Sequence, residues 1–95
     1  MRIPKKVKIG GSVYKIKNNV KLIDGNPDCY GLCDFIDKTI QIKDKQNRQA
    51  REEALIHEII HALFFHMNME QDEDLVERIA QALHMLIKDN PELFR

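Results

Sequence analysis

The sequence is short of several things at once. It has no tryptophan and only two cysteines, Cys29 and Cys33, which excludes a disulfide framework and fits a reducing compartment in which both stay thiols. Its longest uninterrupted apolar run is Ala62 to Phe65, far below the ~18–20 residues a membrane span needs. The basic start Met1-Arg2-Ile3-Pro4-Lys5-Lys6 lacks the ~7–15 apolar residues of a secretory signal, so a cytosolic address is expected. Low-complexity tracts are absent, and 43% hydrophobic with 32% charged residues is the balance of an ordinary globular chain. At 95 residues there is room for one domain, 1–95, and a multidomain enzyme is excluded.

The formal net charge of +0 hides an uneven distribution. Residues 1–23 carry Arg2, Lys5, Lys6, Lys8, Lys15, Lys17 and Lys21 and no acid, so all 15 acids lie further on. A basic stretch of this kind can meet nucleic acid. No aromatic residues interleave with the charges as single-strand binding prefers, so it is read as a solvated face of strands and a nucleic-acid partner is not expected.

Val7-Lys8-Ile9 and Val13 to Lys17 alternate apolar and polar residues around Gly10-Gly11, the pattern of a tight hairpin. After Val20 to Ile23, the run Asp24 to Asp28 is rich in turn formers. A second alternating pair, Tyr30 to Ile36 and Thr39 to Lys43, then flanks Asp37-Lys38 as a second hairpin. From about Gln46 the period changes: Ile56, Ile60, Leu63 and Met67 recur at helical spacing, with Asn68 as the stop. Glu70, Asp72, Glu73 and Asp74 suit the start of another helix, running to about Asn90 with Leu75, Val76, Ile79, Ala80, Leu83, Leu86 and Ile87 as its apolar stripe. Strands first and helices second predict an α+β fold, with a small antiparallel sheet from two hairpins followed by two packed helices.

His57-Glu58-Ile59-Ile60-His61 is an H-E-x-x-H sequence inside the first predicted helix. At 100° per residue the histidines stand about 40° apart and one turn along, so both imidazoles can reach one metal ion. Glu58 lies beside the pair, where a carboxylate can act as general base. With this His and Glu content the five-residue match arises by chance about once in a hundred such chains. A catalytic zinc takes three protein ligands, so another donor is required. His66 faces the opposite way, and the longer metzincin pattern is absent because Phe64 and Met67 stand where Gly and His belong. The second helix offers Glu73, Glu77 and His84 on one strip. Glu77 is the choice, because it sits at the edge of the packed face and completes a His2Glu set. The competing role for Glu77 is a capping box over Asp74 to Glu77.

His57 to His61, followed sixteen positions later by Glu77 within Val76-Glu77-Arg78-Ile79-Ala80-Gln81-Ala82-Leu83, resembles the short gluzincins of the ImmA/IrrE type, many of them encoded by phages and mobile elements. The stretch Tyr30 to Ile42 is similar to the strand segment preceding the metal helix in that family. The resemblance, over about residues 30–91, implies Zn2+ held by His57, His61 and Glu77, with Glu58 as base. It also implies a peptidase acting on protein substrates such as repressors, in the bacterial host cytosol if phage-encoded. Gln81 stands where relatives often carry Asn, or Asp in other gluzincins, to orient a metal-bound histidine.

Zinc acidifies a water, Glu58 takes its proton, and a polarised amide carbonyl is attacked. Tyr30 and His84 are candidate oxyanion donors, and Thr39 to Ile42 is the candidate strand for pairing with an extended substrate. Phe64 and Phe65 fall near the histidine side, where one can wall the cleft. Two other classes of function compete. One is a structural Cys2His2 zinc module made of Cys29, Cys33, His57 and His61 that binds nucleic acid. The other is a zinc-binding protein without turnover, with the tail Pro91 to Arg95 folded over the metal.

Overall fold

A computed structural model describes residues 3–18, 31–43 and 46–94. The predicted turn over 24–28, Cys29, Tyr30 and the strand-like run Val20 to Ile23 lie outside the described residues. Among the described residues four strands precede two helices: β1 (Lys6–Ile9), β2 (Ser12–Asn18), β3 (Gly31–Asp34), β4 (Thr39–Ile42), α1 (Arg48–His66) and α2 (Glu73–Asp89), with a 3-10 turn at Pro91–Phe94. This is the α+β order expected. No helix of the described residues is long and apolar enough to cross a membrane.

Local chemistry accounts for the boundaries. Gly10 and Gly11 both take positive φ, +58° and +83°, as a two-residue hairpin turn between Ile9 and Ser12 demands. Between β3 and β4 the Asp34 carboxylate accepts from the backbone N–H of Ile36 and Asp37, both at 2.9 Å, and Lys38 turns the chain at φ +56°. Asn47 caps α1 by accepting from Ala50 N–H at 2.8 Å, and Asn68 leaves the helix at φ +56°. Asp72, rather than the Asp74–Glu77 pair, caps α2 by accepting from Leu75 N–H at 3.1 Å.

The sheet order is β1-β2-β4-β3. Both hairpins are antiparallel, but they join through a parallel pairing of β2 with β4, Lys15 opposite Thr39 and Asn18 opposite Ile42. The sheet is therefore mixed rather than purely antiparallel, since alternation along a strand fixes its faces and not its neighbour. β4 is an inner strand, so among the described residues the outer strand beside α1 is β3 and not Thr39–Ile42.

α1 is buried on two sides. Toward the sheet, Ala54, Leu55 and Ala62 pack with Ile9, Tyr14, Ile40 and Ile42. Toward α2, Ile56, Ile60 and Phe64 pack with Val76 and Ala80. The expected stripe holds for Ile56 and Ile60 only: Leu63 and Met67 are exposed, and Phe64 closes the core in their place. A single helical period could not register the second buried arc. On α2, Leu75 and Leu86 are likewise exposed, leaving Val76 and Ala80 as the buried centre. The sheet face away from α1 carries Lys6, Lys8, Lys15 and Lys17, all exposed.

Candidate metal centre

The two buried arcs of α1 leave a narrow strip between α2 and β3, and His57 and His61 occupy it. Their Nε2 atoms stand 3.2 Å apart. Asn68 ends α1 and Asp72 opens α2, so the first turn of α2 comes down beside this strip with Glu73 at its head. The Glu73 carboxylate spans both rings: Oε1 is 2.5 Å from His57 Nε2 and Oε2 is 3.0 Å from His61 Nε2. His57, His61 and Glu73 are the group among the described residues whose donor atoms converge for a metal ion.

Each imidazole is oriented from behind. Gln71 Nε2 donates to the His61 carbonyl oxygen at 2.9 Å, which turns its Oε1 to His61 Nδ1 at 2.7 Å. An amide oxygen only accepts, so His61 carries a proton on Nδ1. Glu77 Oε2 lies 2.7 Å from His57 Nδ1, at ion-pair distance but without the alignment of a hydrogen bond. Gln81 Nε2 donates to Glu77 Oε1 at 2.9 Å, so Gln81 steadies the carboxylate rather than a histidine. With His61 Nδ1 committed, its Nε2 is left as an acceptor beside His57 Nε2 and the Glu73 carboxylate. A proton on His57 Nε2, or a metal ion in its place, would satisfy these acceptors.

The spacing of the two Nε2 atoms suits one metal ion. Zinc–nitrogen bonds of ~2.0–2.1 Å at tetrahedral angles put neighbouring donors about 3.3–3.4 Å apart. The Nε2 atoms are 3.2 Å apart, whereas Glu73 meets the two rings through different oxygens at 2.5 and 3.0 Å, so its exposed side chain would have to withdraw to admit an ion. The third donor in position is thus Glu73, with the sequence-selected Glu77 one turn further along α2 on the far nitrogen of His57.

Glu58 is buried, at 8% exposure. Burial raises its carboxyl above the ordinary range, the two histidines pull it back, and Glu73 and Glu77 push it up again, leaving a net upward shift. Its side chain lies against β3: a Cβ on Gly31 would come within 3.2 Å of Glu58 Cγ and 3.3 Å of Oε2. A proton acceptor with raised basicity is thereby held between the histidine strip and the outer strand.

The remaining candidates go elsewhere. His84 is buried and paired with Glu52, Nε2 to Oε1 at 2.9 Å, which removes it as a metal or oxyanion donor at this centre. His66 turns away, its Nε2 3.2 Å from the hydroxyl of Tyr14. Cys33 is half-buried against the sheet core and is not among the converging donors. Phe64 is core, whereas Phe65 is 45% exposed on the side of His61. The turn at Pro91–Phe94 is held by Leu93 N–H on the Asn90 carbonyl and packs on α2. Gln71 was not legible as a site residue, because nothing in its spacing from His61 marks it. Glu73 was visible as a member of the strip but not as the member that reaches the rings. Comparison with family models, with curated proteins and with solved structures finds no match to this chain.

Proposed function

We propose that the chain is a zinc-dependent peptidase of the short gluzincin kind. In this reading His57, His61 and Glu73 hold the metal, Glu77 and Gln71 orient the two rings, and Glu58 is the general base. The observation that carries it is the pair of Nε2 atoms, 3.2 Å apart and facing one carboxylate, with Gln71 hydrogen-bonded to the opposite nitrogen of His61 and Glu77 2.7 Å from that of His57. A histidine ligand backed in this way by a carboxylate or amide is the usual arrangement around a working zinc ion.

Zinc bound there would supply Lewis acidity, lowering the pKa of water toward ~7 and polarising a carbonyl. The protein supplies the rest. Glu58, buried beside the histidines, takes a proton from the attacking water at its carboxylate and returns it to the departing amine. β3, the outer strand against which Glu58 packs, offers a line along which an extended substrate can lie. Protein substrates such as phage repressors, in a bacterial cytosol, follow from the ImmA/IrrE resemblance.

Metal analysis of the purified protein, with cleavage of a mixed peptide library by the unaltered protein and by Glu58→Gln, tests this reading. Zinc retained by both and cleavage at least about a hundredfold faster in the unaltered protein is the expected result. Zinc retained with cleavage by neither would make the chain a zinc-binding interaction protein. Failure to retain zinc would end the metal assignment.

A further inference from the structure

Phe35 and Phe65 form an aromatic pair that neither the metal ligands nor the base uses. Their rings stack at 4.5 Å with 6° between planes, yet Phe65 remains 45% exposed. For a side chain one turn from His61 on the same strip of α1, such exposure leaves apolar surface open where the fold could have buried it.

The placement of the pair follows from two fixed contacts. At one end of β3, Gly31 lies against Glu58; just past the other end, Phe35 lies against Phe65. The four residues from Gly31 to Phe35 cover about 13 Å of extended chain. The seven from Glu58 to Phe65 cover about 10.5 Å of helix. The outer strand and the metal helix therefore run alongside one another, from the base to the aromatic pair. His61 and Phe65 are separated by about 6 Å along the helix, which an extended chain spans in about two residues.

We infer that the Phe35–Phe65 pair is a specificity subsite for an extended peptide laid along β3. It receives one large apolar side chain, leucine- or phenylalanine-sized, two or three residues to one side of the bond presented to the histidines. The occupant is peptide because the pair lies on one line with the outer strand and the histidine strip. It is apolar because the receiving surface is two phenyl rings. Lys38 lies over the Phe65 ring, its Nζ 5.4 Å from that centroid and equally far from that of Tyr14, and sets a positive charge against the pair. A lysine or arginine at the same substrate position is therefore disfavoured. The position relative to the bond rests on the peptidase reading; the apolar preference does not.

The test uses zinc-loaded Glu58→Gln protein and decapeptides of a glycine–serine–alanine background bearing one Phe, Leu, Ser or Lys at a variable position. Binding is followed by amide and aromatic NMR shifts. The Phe and Leu peptides should bind about tenfold more tightly than the Ser peptide and shift the Phe35 and Phe65 resonances. Phe65→Ser should bring the Phe-to-Ser ratio to about one, and Phe65→Leu should retain part of it, with zinc content unchanged in both. Equal binding of Phe and Ser peptides, or a preference that survives Phe65→Ser, overturns the inference. The shift map on unsubstituted residues decides the matter even if Phe65→Ser misfolds. In the protein with Glu58 intact, cleavage should concentrate two or three residues from the apolar side chain. Apolar-selective binding without cleavage would sink the peptidase reading and keep the subsite. Cleavage indifferent to the side chain would do the reverse.

Discussion

Glu73 and Glu77 stand about one helical turn apart on α2, and under the proposed function zinc affinity tells their roles apart. Glu73→Gln and Glu77→Gln are isosteric, and both side chains are at least half exposed, so either change should alter folding stability by no more than ~0.5 kcal/mol. Their effects on metal should differ widely. Of the two rings Glu77 meets only that of His57, 2.7 Å from Nδ1, and would act on a metal through it. Removing a partner of this kind costs 10–100-fold in affinity, and the amide oxygen of Gln can still face Nδ1, so about tenfold, ~1.4 kcal/mol, is expected. Glu73 faces both Nε2 atoms. If a four-ligand zinc site is worth ~10–16 kcal/mol, one ligand's share is about 3 kcal/mol, or roughly 200-fold. Competition against a chromophoric zinc chelator at fixed pH and ionic strength reads both numbers. A larger loss for Glu77→Gln than for Glu73→Gln would refute the assignment and return the ligand role to position 77.

Three further predictions concern the frame around the centre. Gly10→Ala meets His66 Nδ1 at 2.6 Å as well as an unfavourable φ, whereas Gly11→Ala meets open space. Denaturant unfolding should show a loss of about 2–3 kcal/mol for the first and about 1 kcal/mol for the second, and equal losses would deny the contact with His66. Burial alone would raise the Glu52 carboxyl, but hydrogen bonds from His84 and Arg48 outweigh it and hold it below the usual range. A carboxyl lowered by folding stabilises above its ordinary value of 4.5 and loses that contribution as pH falls through the lower, folded value. Thermal melts should therefore fall more steeply below pH 4.5 for the unaltered protein than for Glu52→Gln, which should itself cost about 1–3 kcal/mol at pH 7. Burial first, and then the charges of Glu58 and Asp34, push the Cys33 thiol up to about 12. Mass-spectrometric mapping at pH 8 should show Cys33 alkylated more than a hundredfold more slowly in native protein than in urea, and Cys33→Ser should retain zinc. Native labelling at the unfolded rate would contradict that burial.

Much of the frame was legible in advance because it rests on short-range chemistry. Gly10-Gly11 announces its turn, Asn68 its helix end, and the shift from period two to period 3.6 near Gln46 divides strands from helices. The H-E-x-x-H spacing places two imidazoles together whatever the rest of the chain does. What stayed illegible involves partners distant along the chain. The parallel pairing of β2 with β4 joins residues more than twenty apart, and Leu55 and Ala62 join the core only because a sheet lies beneath them. Gln71 depends on the path of the short link between helices, which carries no periodic signal.

The choice between Glu73 and Glu77 shows where the division falls. Residues four apart on a helix share a face, so periodicity leaves both glutamates bordering the groove, and the sequence favours Glu77 only through its place at the edge of the packed face and the family resemblance. By itself the sequence determined the helix, the histidine pair, the glutamate beside it and the strip of α2 that borders the groove. Only the tertiary structure decided which member of that strip spans both rings. That depends on how far α2 is slid along α1, and the slide is set by the packing of Val76 and Ala80 against Ile56, Ile60 and Phe64. Helical periodicity carries angular position around an axis, whereas translation of one helix against another is fixed by contacts between side chains distant in the chain.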